Sequence, residues 1–308
     1  MGMAFGVAVG LVAAFLQSCS YLASGRYVRV SGLPTWTLAI ASGPAFAVLG
    51  GLTLLFCWPA RPETVPWTRL LWIAAFVFVS SMIASWSQFA MQKWVDSSRA
   101  SPLMALKIPV LAFLYAFILG EPTGLLQWIG VAFVVVSAIL LVGSGRRIPP
   151  VAFGALACTC VGYAASDHGV GLFLGAAVPI FDGAVLRGSF FALGGIYLFI
   201  GTVCTLVLPF IPRARRAPQR LVLPYVFTWF AAMVVLYLCF ASCGIVLGTI
   251  AQNMRGIFSV VLGWFIARAG FRELEEPVSR AVFIRRVAAA LLMAASVALY
   301  AYGKTLVG

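Results

Sequence analysis

Charges, prolines and glycines cut this chain into long apolar runs at 4–24, 35–56, 68–92, 99–119, 124–143, 151–172, 185–208, 221–241, 246–267 and 282–303. Each run is close to the roughly 20 residues with which an α-helix crosses the hydrocarbon layer of a bilayer. Ten transmembrane helices are therefore predicted. The last boundary to be placed is the least marked, because 221–267 contains a single charge, Arg255. At 1.5 Å per residue that stretch overshoots a layer of about 30 Å, so it must turn once, and the uncharged Ser242-Cys243-Gly244 is the predicted turn.

Composition agrees with the pattern. Of 308 residues, 63% are apolar and 9% charged, with a mean hydropathy of +1.05, whereas soluble domains carry about 25% charged residues. An all-α integral membrane protein is the expected class. The first segment, MGMAFGVAVG, lacks the positive start of a secretory signal and is read as a retained span. A net charge of +13 raises the question of nucleic acid, but nineteen of the twenty-one Lys and Arg lie at or near the ends of the apolar runs, where they meet lipid headgroups. Nucleic acid is not an expected partner. With eight acids and one histidine, acid/base and metal chemistry have little to work with, and no cofactor or metal is expected. Cys158 and Cys160 form a C-x-C without a second pair, and the seven cysteines are read as small packing residues.

Two segments resemble each other across the chain. Residues 99–143 read as helix, short acidic link (Gly120-Glu121-Pro122) and helix; 246–303 read as helix, longer acidic link (273–277) and helix. The predicted organisation is two copies of five spans, 1–145 and 146–308, forming one transmembrane unit. An odd number of crossings per copy turns the second copy upside down relative to the first. Inverted repeats of this kind are characteristic of secondary transporters, whose substrate sits at the repeat interface near the bilayer midplane.

The stretch SRASPLMALKIPVLAFLYAFILGEPTGLLQWIGVAFVVVSAILLVG (99–143) resembles the EamA repeat of the drug/metabolite transporter superfamily. The resemblance rests on small residues opening a helix, a mid-helix proline, Leu-Gly-Glu, and Gly130 in the closing helix. The second half shares the helix count and the link, but has Gly256-Ile257 where a proline is expected. The resemblance implies ten helices in two inverted repeats, alternating access and a small organic substrate. The superfamily includes amino-acid, drug and metabolite exporters, nucleotide-sugar carriers and triose-phosphate carriers, so the substrate is left open.

Two cations fall inside the apolar runs. Lys107 lies about eight residues into the fourth and Arg255 about nine into the ninth. Aligning the copies on these helices places Leu106-Lys107-Ile108-Pro109 over Met254-Arg255-Gly256-Ile257, so the cations correspond. A cation at mid-bilayer costs at least about 2.5–3.5 kcal/mol, which a role in holding an anionic group would justify. Guanidinium grips carboxylate or phosphate with two hydrogen bonds, and ammonium acts as a point charge. The resemblance adds that the triose-phosphate carrier branch holds phosphate with cations on its fourth and ninth helices. The structural alternative is that Lys107 snorkels to the interface and Arg255 pairs with Asp167 or with backbone carbonyls.

Gln252 and Ser259 share a helix face with Arg255, and Ser81, Ser85, Gln88 and Gln92 form a polar stripe on the third span, pointing inward or gluing helices together. Trp86 and Tyr163 are candidate flat walls of a substrate pocket. Asp167, the one carboxylate expected within the hydrocarbon region, either carries a coupling proton or balances Arg255, while His168 reads as interfacial. Gly2, Gly6 and Gly10 predict a close-packed face on the first span, and Pro109 and Gly256 are candidate bending points.

The expected function is a secondary transporter of a small anionic or zwitterionic metabolite, with a proton or a counter-substrate as coupling partner. The chain is expected to sit in the bacterial inner (cytoplasmic) membrane as a monomer or homodimer. An exporter of neutral or cationic compounds is the alternative, and a lipid-modifying membrane enzyme is disfavoured by the scarcity of His and acids. Arg61, Arg69, Arg187 and Lys304 fall on the side of the termini against fifteen cations opposite, which favours termini facing outward. The resemblance implies cytoplasmic termini instead.

Overall fold

The computed structural model describes residues 3–113, 116–117, 120, 124–142, 148–270 and 279–307. Among these there is no strand. The helices are α1 (Met3–Val30), α2 (Thr37–Ala41), α3 (Gly43–Phe56), α4 (Trp67–Met91), α5 (Ser97–Leu103), α6 (Lys107–Phe113), α7 (Leu125–Val142), α8 (Pro150–Ala177), α9 (Val185–Val207), α10 (Pro212–Arg215), α11 (Gln219–Asn253), α12 (Arg255–Arg268) and α13 (Arg280–Val307). Five of the described helical stretches are long and apolar enough to cross a membrane. Parts of the predicted acidic links, 121–122 and 273–277, lie outside the described residues, as does Gly2.

The outer surface is strongly apolar, and the mainly apolar interior also encloses charged and polar side chains. Lys107, Arg255, Arg99, Gln17 and Gln88 are buried, whereas Leu55, Phe56, Trp72, Leu125 and Phe210 are each more than 70% exposed. In water that outer surface would be a severe aggregation hazard. In lipid it is the correct solvent match, and the chain is an integral membrane protein.

Helices pack in pairs: α1 with α11, α3 with α9, α4 with α8, α5 with α12 and α7 with α13. Glycine permits the closest of these approaches. A Cβ on Gly201 of α9 would run into the backbone of Ala47 on α3, and one on Gly50 of α3 into the backbone of Tyr197 and Leu198 on α9. Without an aqueous drive between lipid-bathed helices, such backbone proximity is what dispersion and packing have to work with.

The predicted turn at 242–244 is present within α11. Gly244 has φ 80° and ψ 163°, a region open almost only to glycine. The chain doubles back there: Gly248 lies against Phe240, and Gly10 of α1 touches both Cys239 and Ala251, one on each arm. Gly6 rests against Ser242 and Cys243, so the small-residue face of α1 fits this hairpin.

One end of the bundle gathers cations. Arg29 of α1 pairs with Asp96 just before α5 at 2.6 Å, and Arg286 of α13 donates to Ser98 Oγ at 2.6 Å, which brings the ends of α1, α5 and α13 together.

Candidate functional site

Two of the broken helices cross at the centre. The first is interrupted between α5 and α6 by a tight turn over Met104–Leu106, after Pro102, and Lys107 is the first residue of α6. The second is interrupted at Met254, between α11 and α12, and Arg255 is the first residue of α12. Both cations thus follow a break in the regular α-helical ladder, where it tightens into a 3₁₀-like turn while the backbone stays helical. Gly256 lies directly on Pro102, where a Cβ would come within 3.0 Å of the proline ring's Cα. Pro109 and Gly256, the candidate bending points, each lie within two residues of a cation, and Gly256 with Pro102 forms the crossing contact.

A cavity of about 60 Å³ opens beside this crossing. Lys107, Arg255, Gln252, Asp167 and Tyr163 all line it. Lys107 Nζ donates to Asp167 Oδ2 at 2.5 Å and to Gln252 Oε1 at 2.5 Å. The Lys107 side chain is 2% exposed, so it does not snorkel outward.

Arg255 is placed differently. Its backbone carbonyl accepts hydrogen bonds from Ser18 Oγ at 3.0 Å and Ser101 Oγ at 3.3 Å, which anchor the start of α12 to α1 and α5. The guanidinium donates through one terminal nitrogen to Gln17 Oε1 at 3.0 Å and lies over the Tyr21 ring at 5.5 Å. Its Nε and second terminal nitrogen have no hydrogen-bond partner among the described residues. Nor, among those residues, does Arg255 have an ion-pair partner: the buried carboxylate goes to Lys107, not to Arg255 as one reading of the sequence had it.

The formal charges lining the cavity, those of Lys107, Asp167 and Arg255, therefore leave one positive charge uncompensated. A buried guanidinium with unused donors is a costly arrangement in a low-dielectric interior unless an anion completes it.

Part of the remaining wall is aromatic. Tyr163, Trp229 and Tyr225 follow one another with ring centroids 6.2 and 5.9 Å apart, and Trp229 Nε1 donates to Tyr197 OH at 2.7 Å.

The other predicted residues are distributed around the site. Tyr163 OH donates to Gln88 Oε1 at 2.6 Å, so Gln88 stands behind the wall and steadies it. Ser81 and Ser85 of the same stripe reach the cavity, whereas Gln92 donates to Ser24 Oγ at 3.0 Å and ties α4 to α1. Ser259 is fully buried in α12 but is not part of the cavity wall. Trp86, a predicted pocket wall, lies elsewhere. It is 44% exposed on the outer surface of α4 and is no part of the pocket, because its neighbours Ser85 and Gln88 take the inward face of that helix.

Gln17, Ser18 and Tyr21 on α1, and the ring wall Tyr197, Tyr225 and Trp229, were not singled out from sequence. The adjacent polar pair Gln17-Ser18 inside an apolar run was a readable signal for the first group; nothing marked these aromatic residues among the chain's nine tyrosines and nine tryptophans.

Comparison with known proteins adds three findings. Residues 4–143 match the EamA-like transporter family. A Sinorhizobium protein described as an uncharacterized transporter in the cobO 3' region is 34% identical over 82 residues, which is 26% of this chain and 57% of that protein. A solved crystal structure, described only as that of a protein, superposes on 96% of this chain and 98% of its own length with a TM-score of 0.60 at 16% identity. That likeness is one of fold.

Proposed function

We propose, on the match of residues 4–143 to the EamA-like transporter family, that this protein is a secondary transporter of a small organic metabolite bearing a carboxylate or phosphate group, working by alternating access. The anion is held by Arg255 with Lys107 beside it, Gln252 and Gln17 orient the two cations, and the tyrosine and tryptophan wall receives the body of the substrate. The observation that carries this reading is Arg255: buried, unmatched by a carboxylate among the described residues, and with two guanidinium nitrogens unused.

The packing supports ten spans in two inverted repeats. Counted as the ten predicted spans, the pairs α3/α9, α5/α12 and α7/α13 are spans two with seven, four with nine and five with ten, each joining equivalent positions of the two halves. The pair α4/α8, span three with six, is the two-fold counterpart of α1 against α11, whose first arm is span eight. Breaks at matched positions, each opening on a cation, suit a site at the axis relating the halves. Asp167 is assigned here to charge balance with Lys107 rather than with Arg255.

The test is uptake into proteoliposomes of labelled small carboxylates and organic phosphates. Saturable uptake by the wild-type protein that is lost in Arg255→Gln supports the proposal. Flux of neutral or cationic solutes that is indifferent to Arg255→Gln favours the alternative of a neutral or cationic exporter.

A further inference from the structure

The same site discriminates between two substrate classes that the proposal above leaves together, and this inference rests on that proposal. We infer that the ligand is an organic monoanion with an apolar or planar body and no ammonium group, so that zwitterions are poor ligands.

The argument is one of charge and geometry. A zwitterion such as an α-amino acid needs an anion for its ammonium as well as a cation for its carboxylate. Asp167 is the one carboxylate among the described residues lining the cavity, and its Oδ2 is already engaged by Lys107 Nζ at 2.5 Å. Lys107 is also held from its other side by Gln252 Oε1, so the ammonium belonging to Asp167 is built into the protein. An incoming ammonium would have to displace a tethered one from a buried pair, leaving Lys107 without its counter-ion.

The sum of charges points the same way. Lys107, Asp167 and Arg255 amount to one positive charge. A monoanion brings the cavity to neutrality, a zwitterion leaves it at one positive, and a dianion takes it to one negative. In a low-dielectric chamber the neutral combination is favoured. The rings of Tyr163, Trp229 and Tyr225 offer π faces to a cation as well as to an apolar body. With Asp167 taken, however, no free carboxylate among the described lining residues reinforces a cation there.

Two matched pairs of probes test this on the purified full-length protein. 3-Phenylpropanoate differs from phenylalanine, and 4-methylpentanoate from leucine, only by the α-ammonium; 2-phenylethylamine and 3-phenylpropanol complete the first series as cation and neutral. Binding is read by thermal shift in detergent, and flux by uptake into liposomes. The expected result is that at least one acid of the two pairs binds roughly tenfold or more tightly than its amino-acid partner, and that the preference disappears in Arg255→Gln. Size-exclusion profiles and tryptophan fluorescence check that the variant is folded.

Amino acids that bind as well as or better than their matched acids in both pairs overturn the inference, and so does binding of neither acid. If both members of a pair bind equally and both are lost in Arg255→Gln, anion transport stands and only the exclusion of zwitterions falls. If the amine or the alcohol binds best and Arg255→Gln is silent, the anion reading itself falls.

Discussion

Replacing Asp167 by Asn removes the counter-charge of Lys107 while conserving shape. The Lys107 side chain is 2% exposed and that of Asp167 12%, and the ammonium has its acceptors, Asp167 Oδ2 and Gln252 Oε1, both at 2.5 Å. With the carboxylate gone, the ammonium is held by neutral oxygens alone in a chamber that also contains Arg255. Breaking a buried pair by removing one partner costs about 3–5 kcal/mol. The unfolding equilibrium should shift by roughly 10²–10⁴-fold. Replacing both partners with apolar residues, Lys107→Met with Asp167→Leu, removes the unpaired charge and should recover most of that loss. Denaturation in mild detergent, followed by tryptophan fluorescence for Lys107→Met, Asp167→Leu and their double, closes a cycle that gives the coupling energy. The double also leaves the cavity with the single positive charge of Arg255, so anion binding should persist in weakened form. A single Asp167→Asn variant as stable as wild type, or a double whose loss equals the sum of the singles, would refute the claim that these two groups form one buried pair.

Further predictions follow from single contacts. Gly244→Ala places a Cβ at φ 80°, ψ 163° in the hairpin of α11 and should cost about 1–3 kcal/mol, seen as a lowered melting temperature. Gly201→Leu pushes a side chain into the α3 backbone at Ala47; melting in detergent should report a loss of about 1–3 kcal/mol or more, since two helices must separate. Tyr163→Phe removes the hydrogen bond to Gln88 and should lower stability by about 1 kcal/mol while leaving the aromatic wall and anion affinity largely intact. Trp86→Ala, on the outer surface, should leave anion uptake unchanged; a large loss there would place this residue in the pathway after all.

The helical architecture was legible because in lipid the period of the apolar run is the length of the crossing. Even the turn within 221–267 could be placed from length, and Gly244 occupies it. The two interior cations were legible for the same reason, since any charge inside such a run stands out. Their partners were not. Lys107 and Arg255 compete for one carboxylate, and the choice depends on which break carries each side chain nearer to α8, a distance of tertiary origin. Trp86 shows the limit of a stripe argument: Ser85 and Gln88 take the inward side of α4, and the intervening residue goes outward. Tyr225 and Trp229 had no such signal, because aromatic residues in an apolar run look alike whether they face lipid or a cavity.

The central claim is that both halves of the chain enclose one water-reachable chamber that opens alternately to either side. Ser81 lines that chamber on α4, so Ser81→Cys, in a background lacking the seven native cysteines, tests it with an impermeant anionic thiosulfonate applied to one face of sealed vesicles at a time. The account predicts labelling from each face, slowed from both by Arg255→Gln, which removes the positive charge that attracts the reagent. Labelling from one face alone, or from neither, would contradict it.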